Sequence, residues 1–341
     1  MFFASDNSSG AAPEIMEALA RANEGYAKSY GADAIMERVT ARIREIFEAP
    51  EAAVYLVPTG TIANSLALSL HCPPWGAVFC HRHAHIAEDE CGAPEFYTGG
   101  AKLVLVEGAH GKMTPDSLGQ ALSRIGEGGV HGVQRAIVSI TNVTEAGTVY
   151  TPAEVAALTA LARARGLPSH MDGARFANAI VATGATPAEM TWKAGIDVLS
   201  FGGTKNGCMG VEAVVLFDPA KAWEFELRRK RGGHLFSKHR FLSAQMEAYL
   251  EGGLWLRLAA QANRMGARLS QGIAALPDSG LIHPAQANMM FAWFPGAGHN
   301  RARAAGAAYY DMAAPPEGAA RLVCSWSTTE ADVDCFLGLI G

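Results

Sequence analysis

The sequence predicts an α/β protein, with a mainly parallel sheet covered by helices on both faces and a smaller α+β domain after it. Three observations carry this. Short strand-like apolar runs alternate with stretches of helical pattern over most of the chain, the signature of strand–helix–strand units. From about residue 240 the alternation gives way to one long helical stretch and then short strands. The length, 341 residues, bounds the chain to one or two domains with a sizeable core.

In chain order, helical patterns run through 13–24, 33–48, 60–71, 115–124, 152–165 and 220–230. Between them fall seven strand candidates: AVYLV (53–57), AVFC (77–80), KLVLV (102–106), RAIVSI (135–140), LPSHM (167–171), DVLSF (197–201) and EAVVLF (212–217). A continuous helix is predicted over RFLSAQMEAYLEGGLWLRLAAQANRMGARLSQGI, followed by strands in NMMFAWF (288–294) and ARLVCSW (320–326). We therefore expect an N-terminal segment and large domain over 1–240 and a small domain over 241–341.

Composition narrows the function class. The chain is 49% hydrophobic and 18% charged, ordinary for a soluble globular enzyme, and its net charge of -5 argues against a general nucleic-acid binder. No apolar stretch has the length to cross a bilayer, and MFFASDNSSGAAPE is too polar for a signal peptide, so a cytoplasmic location is expected. Six scattered cysteines without a CxxC pair point to small core residues rather than a disulfide scaffold or zinc ribbon.

Candidate chemistry gathers at predicted strand ends. SFGGTKNG (200–207) places Lys205 in a glycine-rich turn directly after a strand, where α/β proteins put their sites. PTGTIANSLAL (58–68) opens a helix at Gly60 and Thr61. Its free N–H groups and dipole suit a phosphate, and the same residues also read as a helix start capped by Thr59 or Thr61. HMDGARF (170–176) puts Asp172 and Arg175 at another strand end; the Asp reads as a functional acid, a helix cap or an arginine partner. In CHRHAHIAEDE (80–90) the alternating His81, His83 and His85 would share one face of a strand. They read as a metal site or as one histidine facing a cofactor or substrate with the others solvated, and the second reading is preferred, with no metal expected. RRKRGGH (228–234) reads as a solvated helix end. Together, a phosphate-cradling helix start, a histidine, an acid and a lysine some thirty residues later match what pyridoxal 5'-phosphate needs: a Schiff-base partner, an acid for the pyridine nitrogen, an anion site and a flat neighbour.

The sequence resembles the low-specificity L-threonine aldolases, fold-type I enzymes with the aspartate-aminotransferase-like architecture, and within them a phenylserine-aldolase-like branch. The resemblance rests on ASDNSSG (4–10), YGAD (30–33), PTGTIANSLAL, AHIAEDECGAPEF (84–96), GKMTPDSL (111–118), TEAGTVY (144–150), HMDGARFANA (170–179), WKAGIDVLSFGGTKNG (192–207) and RLVCSW (321–326). It implies pyridoxal 5'-phosphate as cofactor, Lys205 as the Schiff-base lysine, Asp172 as partner of the pyridine nitrogen and His85 stacked on the ring. It further implies Gly60, Thr61, Thr204 and Arg175 around the cofactor, and Ser8, Arg175 and Arg321 around the substrate carboxylate. Tyr30 would sit near a neighbouring subunit's site, in a homodimer or homotetramer.

Two departures from the family pattern stand out. YGAD has Ala32 where many relatives carry an acid, and TNVTEAG places Glu145 where many carry a second histidine. Lys238 and Arg240 are candidate phosphate or subunit contacts. The implied reaction is retro-aldol cleavage of L-threonine, L-allo-threonine, L-phenylserine or a related β-hydroxy-α-amino acid to glycine and an aldehyde, with His85 or a water it orders as base. The alternatives are another lyase or transaminase reaction on the same fold, or a non-catalytic binding protein. No nucleic acid or membrane partner is expected.

Overall fold

The computed structural model describes residues 1–125, 129–313 and 315–341. Its main sheet contains β1 (Ala53–Val57), β2 (Gly76–His81), β3 (Lys102–Val106), β4 (Gln134–Thr141), β5 (Ser169–Gly173), β6 (Val198–Gly202) and β7 (Glu212–Leu216), in the spatial order β1-β7-β6-β5-β4-β2-β3. β7 runs antiparallel to β1 and β6, and every other pairing is parallel. The C-terminal ends of the six remaining strands therefore share one edge of the sheet.

The accompanying helices are α1 (Pro13–Ala22), α2 (Ala34–Ile46), α3 (Gly60–Ser69), α4 (His85–Glu88), α5 (Ala93–Thr98), α6 (Pro115–Arg124), α7 (Pro152–Arg163), α8 (Phe176–Thr183), α9 (Pro187–Met190) and α10 (Ala222–Arg231). Local chemistry sets several starts. Thr114, Thr151 and Thr186 each begin a capping box with proline in the first turn, so the first free N–H groups are bonded by side chains. Burial alternates along the strands, as the two-residue period demands: Ala77 and Phe79 enter one core while Val78 and Cys80 enter another. Leu199 and Phe201 likewise face away from Val198. Both faces of the sheet are thus covered, and Phe47, Phe176, Phe201 and Trp255 interlock on one of them, with ring centroids 5.5–5.8 Å apart.

The chain continues through α11 (Arg240–Leu250) and α12 (Leu254–Ala275) into a smaller layer: β8 (Gly280–Leu281), β9 (Met289–Trp293), α13 (Gly296–Ala304), β10 (Tyr310–Asp311), β11 (Ala319–Val323) and α14 (Glu330–Ile340). Its sheet, ordered β10-β11-β9-β8, is antiparallel throughout. A second core holds Met265, Leu269, Phe294, Leu322 and Phe336. Phe3 joins it from the other end of the chain, and the first residues pair with Ala308 and Val323. α12 spans the two cores, Ala259 in the larger and Met265 in the smaller.

Two expectations change. The helix predicted over 240–273 is broken, because Gly252 (φ 55°) and Gly253 (φ 70°) take left-handed conformations between α11 and α12. The strand expected over 167–171 lies two residues later. Pro168 has no N–H to give a ladder and contributes only its carbonyl, to the Val138 N–H at 3.1 Å. That shift brings Asp172 inside β5. All six cysteines are free, four of them buried. No described helix is long and apolar enough to cross a membrane.

Candidate active site

At the shared edge, register sets Thr141 beside Asp172 and Asp172 beside Ser200, so β4, β5 and β6 end together. The backbones crowd there: a Cβ on Gly202 would stand 2.3 Å from the Ala174 carbonyl oxygen, so only glycine fits. A cavity of about 700 Å³ opens above, lined among others by Gly60, Thr61, His85, Asp172, Thr204 and Lys205. A second, of about 660 Å³, adjoins it towards the small domain and is lined by His85, Glu145, Arg175, Lys205, Phe291 and Arg321, among others. Lys205 and His85 border both.

Each predicted residue has a definite place. Lys205 follows β6 in a short turn ending at Gly207 (φ 98°), and its ammonium makes no hydrogen bond or ion pair among the described residues. Asp172 is buried. It accepts the Ala174 N–H (3.0 Å) and an Asn64 side-chain N–H (3.1 Å), so it is neither a helix cap nor an arginine partner. Thr59, not Thr61, caps α3, which leaves Gly60 and Thr61 facing the first cavity; a Cβ on Gly60 would meet nothing within 4 Å.

The three histidines do not share a strand face, because β2 ends at His81. The His81 ring bonds the Gly108 carbonyl at 3.0 Å, His83 bonds Glu88 at 2.8 Å, and only His85, at the start of α4, reaches both cavities. Among the described residues no three His, Cys, Asp or Glu side chains are grouped to hold a metal ion.

Arg175 is less free than a simple clamp would require. Its Nε and Nη2 grip Asp6 at 2.7 and 3.0 Å, both side chains buried. Arg321 is half-buried, with its Nε on the Met289 sulfur (3.3 Å) and Nη1 3.4 Å from the Ala4 carbonyl. Ser8 is exposed and lines neither cavity, whereas Ser5, Asn7 and Ser9 do. Tyr30 (φ 59°) is exposed with Lys230 over its ring at 5.0 Å. Like Lys238 and Arg240, it lines neither cavity.

Three buried groups escaped the sequence reading. Glu90 ends the EDE run of AHIAEDECGAPEF, where it read only as one more acid beside the histidines, and Asn64 lies in PTGTIANSLAL, where a polar residue in a mostly apolar helical stretch was the available signal. Glu212 lies in the EAVVLF strand and accepts the Gly203 N–H at 2.9 Å; burial pushes its carboxyl up to about 7.

Pyridoxal 5'-phosphate fits these residues. An unpaired lysine borders the cavity, an acid stands at its floor, and a bare helix start offers N–H groups at its side.

The family described as beta-eliminating lyase matches residues 3–294. The low specificity L-threonine aldolase of Pseudomonas sp. is 44% identical over 331 residues, covering 97% of this chain and 94% of its own. The chain belongs to the beta-eliminating lyases and, among them, to the low specificity L-threonine aldolases. A second aldolase so described, from Pseudomonas aeruginosa, is 43% identical over 96% of this chain and 93% of its own. The structure of Leishmania major threonine aldolase superposes with a TM-score of 0.93 at 30% identity, covering 99% of this chain and 98% of that one. As a member of the threonine aldolase family this protein is a lyase, and its mainly parallel seven-stranded sheet with a small C-terminal layer is the fold-type I architecture.

Proposed function

We propose that this chain is a pyridoxal-phosphate-dependent aldolase. It cleaves L-threonine, L-allo-threonine and related β-hydroxy-α-amino acids to glycine and an aldehyde, in the cytoplasm, as a homodimer or homotetramer. The observation that carries the reading is Lys205, unpaired at the junction of two cavities, with Asp172 and His85 beside it. The cofactor, when bound, supplies the electron sink that makes Cα–Cβ cleavage accessible.

The chain's own residues do the rest. Lys205 is the amine for the cofactor aldehyde, and α3 offers N–H groups at Gly60 and Thr61 to the phosphate, with the Thr204 hydroxyl close by. Asp172 is the acid for the pyridine nitrogen. Arg321, aided by Arg175, orients the substrate carboxylate in the second cavity. Burial, then the neighbouring Arg175 charge, lowers the pKa of the Arg321 guanidinium, so an incoming carboxylate relieves a repulsion. His85 presents Nε2 to the cavity as acceptor for the β-hydroxyl proton, directly or through a water.

The test is the visible absorption of the purified chain with added pyridoxal phosphate, paired with acetaldehyde release from L-threonine. A yellow protein that releases acetaldehyde and glycine, with both signals lost in Lys205→Ala, is expected. A protein that stays colourless, or one that yields a keto acid and ammonia instead, overturns the reading.

A further inference from the structure

Glu90, in the turn after α4, is a carboxylate with no exposed side-chain surface. Burying such a group costs several kcal/mol unless its oxygens are well bonded. Here the bonding is lopsided. Oε1 takes two contacts, from His85 Nδ1 at 2.8 Å and Asn64 Nδ2 at 2.9 Å, while Oε2 is buried with no partner. The same Asn64 amide nitrogen donates to Asp172 Oδ2 at 3.1 Å, and Asn64 Oδ1 is also buried without a partner. A continuous chain His85–Glu90–Asn64–Asp172 thus joins the residue above the cavity to the acid at its floor. An ionised carboxylate only accepts, so with Glu90 charged the contact is a donation from His85 Nδ1 to Oε1.

We propose that Glu90 and Asn64 are positioning residues: Glu90 holds the proton of His85 on Nδ1, so that Nε2 faces the cavity as the acceptor, and Asn64 ties that arrangement to Asp172. The inference deepens the aldolase reading and rests on it for the role of His85. The logic is that of any catalytic imidazole oriented by a buried carboxylate.

The charges around His85 agree. Glu90 lies on the following turn, Asp172 on β5, Glu145 after β4 and Lys205 after β6. The Glu90 bond is the largest influence and raises the imidazole pKa. Burial and Lys205 oppose it, while Asp172 and Glu145 support it. Burial pushes the Glu90 carboxyl up in turn. A base must be neutral to act, so activity rises with pH through the raised His85 titration.

The decisive experiment is nitrogen NMR of the ¹⁵N-histidine-labelled full chain, with and without pyridoxal phosphate, assigned with His85→Asn. We expect the Nδ1–H tautomer and a midpoint above the ordinary imidazole value of about 6.5. In Glu90→Gln, which keeps the shape and removes the charge, the midpoint falls and the acid limb of kcat moves with it. The same variant lowers kcat roughly 10–100-fold, part of what a general base contributes, with KM nearly unchanged. An Nε2–H tautomer in the parent chain, or an unmoved His85 titration in Glu90→Gln, overturns the proposal. The NMR readout needs no turnover. A chain that shows the Glu90-dependent tautomer yet releases no glycine sinks the aldolase reading and leaves the positioning role standing.

Discussion

Arg175 and Asp6 form a two-pronged, fully buried ion pair, 2.7 Å at Nε and 3.0 Å at Nη2, between the end of β5 and the first residues of the chain. Asn288 adds a third contact, donating to Asp6 Oδ2 at 3.1 Å from just before β9. Burial alone would raise the Asp6 carboxyl, but the charges of Arg175 and Lys205 hold it below the usual range. Breaking such a pair strands a buried charge. Asp6→Ala is therefore expected to lose about 3–5 kcal/mol of stability in denaturant unfolding. A loss under about 1 kcal/mol would mean the pair contributes little.

Because Asp6 occupies the Nε and Nη2 edge of Arg175, the substrate carboxylate depends mainly on Arg321. Arg321→Ala should raise KM for L-threonine by roughly 10–100-fold, the worth of a charged hydrogen bond. Its melting temperature should stay near that of the parent. An unchanged KM would remove Arg321 from the carboxylate site.

Asp172→Asn separates shape from charge. The new amide keeps an acceptor for the Ala174 N–H, while the Asn64 amide keeps its bond to Glu90 Oε1 and loses the one to residue 172. The variant should fold, with stability lowered by no more than about 1–3 kcal/mol, the cost of one lost buried hydrogen bond. Turnover should fall by at least about 10²-fold, because a neutral amide cannot stabilise a protonated pyridine. Near-normal kcat would refute that role.

His170 predicts an acid-sensitive fold. It is buried in β5, bonded to Ser139 at 2.9 Å and Ser200 at 3.0 Å, and burial lowers its pKa to about 4. The unfolded chain takes up this proton near 6.5 and the folded one only near 4. Stability is therefore fully present above about 6.5 and declines between 6.5 and 4, by about 1.4 kcal/mol per pH unit for this group. His170→Asn should flatten the slope of unfolding free energy against pH in that window. An unaltered slope would show that the ring titrates elsewhere.

Local chemistry made most of the frame legible. Strand-length runs marked each strand of the large sheet, β5 two residues early, and helical periodicity marked the longer helices, whereas the short helix Pro187–Met190 was not marked. Lys205 and Asp172, each with structural uses when taken alone, were readable together, because their spacing and strand-end placement fit one cofactor. Partnerships across the chain left no such trace: Arg175 and Asp6 lie 169 residues apart, and Asn64 and Glu90 lie 26 apart. Ser8 shows the limit at short range. In a motif with several hydroxyls, a single 3₁₀ turn at Asp6–Ser8 turns Ser5, Asn7 and Ser9 to the cavities and Ser8 to solvent.

The opening segment of the chain binds three regions that are otherwise far apart in sequence. Phe3 is seated in the small core, Asp6 grips Arg175, and Ser9 and Gly10 line the first cavity. A preparation clipped by a protease within these residues would lose a wall of the site together with the Phe3 and Asp6 contacts, a change that far-ultraviolet dichroism of so helical a chain reports poorly. Specific activity, not secondary-structure content, is then the measure of intact material, and a purification handle belongs at the other end.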